Sequence, residues 1–148
     1  MSKVLRLAIS PCPNDTFMFD AMINHRIDTE GLQFEVDYLD IEQLNSAALE
    51  SKYDVSKCST ALLPAIYANY RLLDSGSALG RGNGPLLVRR RGFDGAMRDI
   101  VVPGLHTTAN LLTERLFPDI KTRTPMLFSE IADAVAEGRY DAGVLIHE

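Results

Sequence analysis

A chain of 148 residues with 46% hydrophobic and 24% charged residues has the composition of a soluble globular protein, enough for one ordinary domain or two small lobes. Its formal net charge of −5 excludes nucleic acid as the main partner, because binding a phosphate backbone needs a basic surface. Two cysteines are too few for a disulfide framework, and no apolar run approaches the ~18 residues of a membrane span.

The opening MSKVLRLAIS holds a short apolar stretch broken by basic residues, with no small-residue cleavage site after it. It reads as a strand over 4–9 rather than a secretory leader, so a cytoplasmic setting with free thiols is expected. A helix follows over 17–27, with Phe19, Ile23 and Ile27 on one face. LQFEVDYL, 32–39, alternates strictly and predicts a strand, and 41–51 returns to helical spacing through Ile41, Leu44, Ala48 and Leu49. A strand over 53–58 and a helix over 60–73, with Leu63, Ile66, Tyr67 and Tyr70 inward, close the first half. The second half repeats the plan: strand 100–102, helix 107–117, strand 122–127, helix 129–137 and strand 142–146. Strands alternating with helices of this length make parallel βαβ units.

One local match supports two similar α/β lobes. LESKYDVSKCST, 49–60, and AEGRYDAGVLIH, 136–147, share a Glu, a small residue, a basic residue, Tyr-Asp and a strand; Gly138 suits the left-handed position after a helix. Between the halves, ALGRGNGPLLVRRRGFDG, 78–95, is glycine-rich and reads as a crossover. The expected division is lobe one over 1–88, a hinge over 89–98 and lobe two over 99–148. The GxGxG spacing is followed by an extended segment, not a helix, so it lacks the geometry of a dinucleotide cradle. The run Arg89, Arg90, Arg91 reads as solvated.

Ligands of open parallel sheets bind beyond the carboxyl ends of the strands. Those ends are SPCPNDTF (10–17), CST (58–60), PGLHTTAN (103–110) and IHE (146–148), all rich in small polar residues or histidine. Helices follow three of them, and helix N-termini favour an anion. Two facing lobes would gather these loops around a cleft, with a small carboxylate as the expected guest. The substrate-binding candidates are Ser10, Asn14, Asp15, Thr16, Ser59, Thr60, His106, Thr107 and Thr108. Asn14, Asp15 and Thr16 either cap the next helix or turn toward the ligand. Of the three histidines, His25 only suits a helix C-terminus, while His106 and His147 stand at strand ends where a general base would be placed. No His/Cys/Asp cluster has metal-ligand spacing, and no G-x-S-x-G turn supports a serine hydrolase. Cys12 and Cys58 end the first and third strands, neighbours in the usual order, so their side chains are expected to approach, either as small buried residues or as a thiol or disulfide pair.

SPCPNDTF after the first strand, ALGRGNGPL at the crossover, PGLHTTAN opening the second half and the terminal IHE together resemble, in order along the whole chain, the 1,4-dihydroxy-6-naphthoate synthase family. These enzymes cleave cyclic dehypoxanthinyl futalosine in the futalosine route to menaquinone. The resemblance implies an α/β, periplasmic-binding-protein-like (type II) fold, two lobes with a cleft, and a carbon–carbon lyase without metal or organic cofactor. It makes His147, the histidine of IHE, the catalytic base that takes a proton from a substrate hydroxyl. Thr107 and Thr108 match the family's TTA motif as a polar wall; Ser59, in KCST, matches loosely; His106 stays as a cleft residue. The sister chorismate dehydratase is similar in fold but lacks the opening motif, and a non-catalytic cytoplasmic carboxylate-binding module would share the loops. An exported solute-binding protein would carry a leader. Family members continue beyond the IHE motif, so the resemblance implies a truncated member, its second lobe and return crossover incomplete. Either the chain is shortened or a second chain supplies the rest; activity alone is open, and self-association through the exposed incomplete lobes is expected.

Overall fold

Leu7, Ala8 and Ile9 are fully buried, a continuous apolar run that suits a strand covered on both faces. In the structure, a computed structural model describing residues 3–146, they end the central strand of the first of two units, Met1–Ala78 and Leu79–Glu148. Strand β1 (Lys3–Ile9) lies between β2 (Leu32–Tyr38) and β3 (Val55–Ser56), all parallel, with Leu7 opposite Val36 on one side and Val55 on the other. On the edge strand β2 only Phe34 and Val36 are half-buried, as strict alternation requires.

Helix α1 (Pro13–Ile23) begins four residues before the expected start, inside the SPCPNDTF turn. Pro13 has no N–H to leave unpaired and its fixed φ suits the first helical position. The shift leaves Phe17 87% exposed and puts Ile27 beyond the helix, so the anticipated face survives only in half-buried Phe19 and Ile23. Helix α2 (Ile41–Leu49) starts on a capping box: Asp40 Oδ1 accepts the Glu42 N–H at 3.0 Å, and the Asp40 N–H donates to Gln43 Oε1 at 2.9 Å. Its Leu44 and Ala47 pack on Ala8 and Tyr53.

The helix expected over 60–73 is a 3₁₀ turn, Thr60–Leu62, and one α turn, α3 (Leu63–Ile66). The inward set was legible in part: Leu63, Ile66 and Tyr70 pack with Ala48 and Leu62, while Tyr67 is exposed. Beyond this turn the Tyr70 N–H donates to the Ile66 carbonyl and its hydroxyl to the Tyr53 carbonyl, at 2.9 and 2.7 Å. Strand β3 is likewise shorter than 53–58, although the Lys57 N–H still reaches the Ala8 carbonyl at 2.9 Å.

In the second unit the sheet order is β4 (Pro85–Arg89), β7 (Ala142–Ile146), β5 (Asp99–Val102), β6 (Thr122–Pro125). Helix α4 (Thr108–Leu116) connects the parallel neighbours β5 and β6, and α5 (Phe128–Ala136) carries the chain from β6 to β7 on the other side of β5, again parallel to it. Strand β4 runs antiparallel to β7, Pro85 opposite Ile146. The expected boundary at residue 88 therefore cuts through a strand, and the division falls instead between Ala78 and Leu79. The three arginines that follow are exposed, and the Arg90 guanidinium lies where a Cβ on Gly138 would be. Gly143 lets α5 approach β7: a Cβ there would stand 2.7 Å from Ile131 Cγ2 and 2.8 Å from Val135 Cγ2. Gly143→Ala is expected to lower unfolding stability by about 1–3 kcal/mol through overpacking, measured by urea denaturation.

The short repeat is structural. After α2 the N–H groups of Ser51 and Lys52 donate to Ala48 and Ala47; after α5 those of Gly138 and Arg139 donate to Val135 and Ala134. Both are Schellman closures around a positive-φ residue, Ser51 at 54° and Gly138 at 78°. The Tyr-Asp aspartate then does the same task twice. The Asp54 N–H donates to the Arg6 carbonyl while its carboxylate accepts the Arg6 N–H at 2.8 Å. The Asp141 N–H donates to the Asp99 carbonyl while its carboxylate accepts the Arg98 and Asp99 N–H groups at 2.8 and 3.0 Å. Each pair stands one residue before the first register pair of its strands, Leu7 with Val55 and Ile100 with Ala142.

The Asp99 and Arg98 amides hold the Asp141 carboxyl below its ordinary pKa. A depressed carboxylate stabilises the fold above the unfolded-state value of about 4 and loses that contribution as pH falls toward the folded-state value. Asp141→Asn is expected to cost about 1–2 kcal/mol at pH 7, allowing for solvent screening, and the gap to wild type should shrink in denaturation at pH 3.

Candidate functional site

The tip of β1 folds back on itself. Ser10 donates to Asp15 Oδ2 twice, from its N–H at 3.0 Å and its hydroxyl at 2.7 Å, and the Cys12 N–H reaches Ser10 Oγ at 3.4 Å. Thr16 Oγ1 donates to the Cys12 carbonyl at 3.1 Å. Asp15, in the first turn of α1, is fully buried, and its second oxygen pairs with Lys57 Nζ from the end of β3. Its carboxylate thus ties two strand tips together instead of capping the helix. Asn14 is exposed beside it. Lys57 keeps 27% of its side-chain surface exposed, so this tip joins a cation, still partly open, to a fixed hydroxyl. Such an arrangement can receive an anionic oxygen.

Ser59 is held from below. Asn45, fully buried on α2, accepts the Ser59 N–H on Oδ1 at 2.9 Å and donates from Nδ2 to Ser59 Oγ at 3.0 Å. Thr60, the next residue, is exposed at the start of the 3₁₀ turn. Cys58 is half-buried, and burial pushes its thiol above the ordinary value, against the pull of Lys57. The strands ending at Cys12 and Cys58 are neighbours as expected, and both cysteines are free and half-buried, without a disulfide.

In the second unit Thr107 caps α4. Its buried hydroxyl donates to the Gly104 carbonyl at 2.7 Å and accepts the Asn110 N–H at 3.2 Å, so both roles of that oxygen are taken by backbone. Thr108 is half-buried in the first turn of α4, and His106 is exposed in the preceding loop. Asn110 donates to the Leu105 carbonyl at 2.9 Å, while its buried Oδ1 has no donor among the described residues. His147 lies outside the described residues. Thus Ser10, Asp15 and Thr16 form one network, Ser59 belongs to a second, and Thr107 to a third within the other unit.

Lys57 and Asn45 escaped the sequence reading. The signals were there: Lys57 breaks the small-residue run VSKCS, and Asn45 sits among Ile41, Leu44 and Ala48 on the inward stripe of α2. Among the described residues no group of three or more metal-ligating side chains is gathered, and no helix is long and apolar enough to cross a membrane.

The fold, one parallel and one mixed α/β sheet with polar strand tips, is in part that of the type II periplasmic binding proteins. The ligand-binding component of an ABC-type import system from Staphylococcus aureus matches with a TM-score of 0.64 at 17% identity, over 98% of this chain and 55% of that one. The arginine-bound form of ArgBP from T. maritima matches with 0.61 at 16%, over 97% and 74%. Protein AF1704 from Archaeoglobus fulgidus is nearer, with a TM-score of 0.86 and 35% identity over 97% of this chain and 54% of that one. The chain belongs to the menaquinone biosynthesis family, whose model matches residues 5–148. It is 41% identical to a 1,4-dihydroxy-6-naphthoate synthase of Streptomyces coelicolor, over 99% of this chain and 54% of the relative. With that of Thermus thermophilus it shares 39%, over 99% and 53%. The chain spans about half the length of these curated relatives.

Proposed function

We propose that the chain acts as a cytoplasmic carbon–carbon lyase of menaquinone biosynthesis, converting cyclic dehypoxanthinyl futalosine to 1,4-dihydroxy-6-naphthoate. The observation that carries this is the identity of 41% and 39% to two synthases across 99% of the chain. In this reading His147 takes a proton from a substrate hydroxyl and so starts the bond cleavage. A histidine titrates near neutrality and can hold that proton until the leaving fragment needs it. The Ser10–Asp15–Lys57 tip and Ser59 receive polar and anionic oxygens of the substrate, with Thr60, His106 and Thr108 as further polar contacts, while the Thr107 hydroxyl is kept as the cap of α4. By the resemblance, no metal or organic cofactor enters, and a small carboxylate is the only partner the chemistry needs.

Incubating the purified chain with cyclic dehypoxanthinyl futalosine tests this. Release of the naphthoate, followed by mass spectrometry, is expected. Substrate held unchanged after long incubation would mark a binding module, and turnover of chorismate instead would assign the sister dehydratase.

A further inference from the structure

We infer that Asn45 is a positioning residue which fixes Ser59 as a hydrogen-bond donor toward a ligand oxygen. The Ser59 backbone N–H is a donor, so only the Asn45 carbonyl oxygen can face it, at 2.9 Å. This orients the amide, and its NH₂ must then face Ser59 Oγ, at 3.0 Å. An NH₂ has no acceptor lone pair to offer here, so the serine oxygen accepts and its own proton points away from Asn45. Glu42 Oε2, 3.5 Å from the same Nδ2, agrees with that orientation.

The local structure leaves that proton for something else. Ser59 occupies the cap position of the 3₁₀ turn, yet its side chain makes no capping bond there. Among the described residues Ser59 Oγ has no acceptor of its own. Asn45 is fully buried whereas Ser59 keeps 8% exposure, so what remains exposed of the pair belongs to Ser59. A serine locked as a donor selects oxygens that accept, a carboxylate or carbonyl, and disfavours hydroxyl groups that need to donate. The inference rests on the proposed function only for the identity of the ligand.

Asn45→Asp is the sharp variant, because it keeps the acceptor for the Ser59 N–H but replaces the NH₂ by an oxygen. The serine proton would then turn inward. Binding of 1,4-dihydroxy-6-naphthoate, measured by calorimetry on the whole chain, is expected to weaken about 10- to 100-fold in this variant. Ser59→Ala should weaken it similarly, and the double variant should be no worse than Ser59→Ala. Relative to wild type, N45D should recover affinity at acid pH, where the introduced carboxyl is protonated and donates again. Unchanged affinity in N45D, or effects that add in the double variant, would overturn the inference. Should wild type fail to bind the naphthoate, the functional reading fails by itself, and the side-chain amide protons of Asn45 decide the rest. Their exchange in wild type is expected to be slow and to accelerate about tenfold in Ser59→Ala; exchange indifferent to that change contradicts the clasp. The same wild-type measurement serves if N45D does not fold.

Discussion

Replacing His147 by Ala is expected to abolish naphthoate release while leaving substrate affinity close to that of wild type. A general base typically contributes 10²–10⁴-fold in rate, and a group that acts on a proton in the transition state adds little to ground-state binding. The loss should therefore fall on kcat, with KM nearly unchanged. A variant that turns over at the wild-type rate would remove His147 from the mechanism, and one that loses affinity and rate together would make it a binding residue. His106→Ala provides the contrast, since a loop histidine that only lines the substrate should raise KM more than it lowers kcat.

The largest stability effect is expected at Lys57. Asp15 is fully buried and its carboxylate leans on two donors of Ser10 and on the Lys57 ammonium. Removing one partner of a buried pair typically costs 3–5 kcal/mol, because a charge is left without compensation. Lys57 is 27% exposed, which lets solvent screen part of the interaction, so about 2–4 kcal/mol is expected for Lys57→Met. Asp15→Asn should cost less, about 1–2 kcal/mol, since the ammonium left behind can reach water while the new amide still accepts from Ser10. The double variant should be less destabilised than the two single costs added. Denaturant midpoints give all three values, and an order reversed between Lys57→Met and Asp15→Asn would contradict the account of this tip.

How much was legible depends on the range of the interactions. Strand β7 was predicted to the residue and α2 and α5 within two, because apolar periodicity and local closures decide them. The Tyr-Asp repeat was visible for the same reason, since its helix closure and strand entry span only a few residues. Strand β4 was missed because it exists by pairing with β7, Pro85 with Ile146, a partner no local pattern announces. The start of α1 was misplaced because Pro11 and Pro13 look alike as strand stops, although only the second begins a helix. Among the candidate residues, Ser10, Asp15 and Ser59, chosen by residue type, stand in hydrogen-bond networks at strand ends. Lys57 and Asn45 were not chosen, because a lysine reads as solvated and an asparagine as an interruption until Asp15 and Ser59 are seen beside them.

The central claim is that polar strand tips, not the opposite ends of the sheets, hold the ligand. Amide chemical shifts during titration with 1,4-dihydroxy-6-naphthoate test this most directly. The account predicts changes clustered at 10–16, 57–60 and 104–108, with Asp54 and Asp141 unmoved. Changes gathered around Asp54 and Asp141 with the tips silent, or no change at saturating ligand, would contradict it.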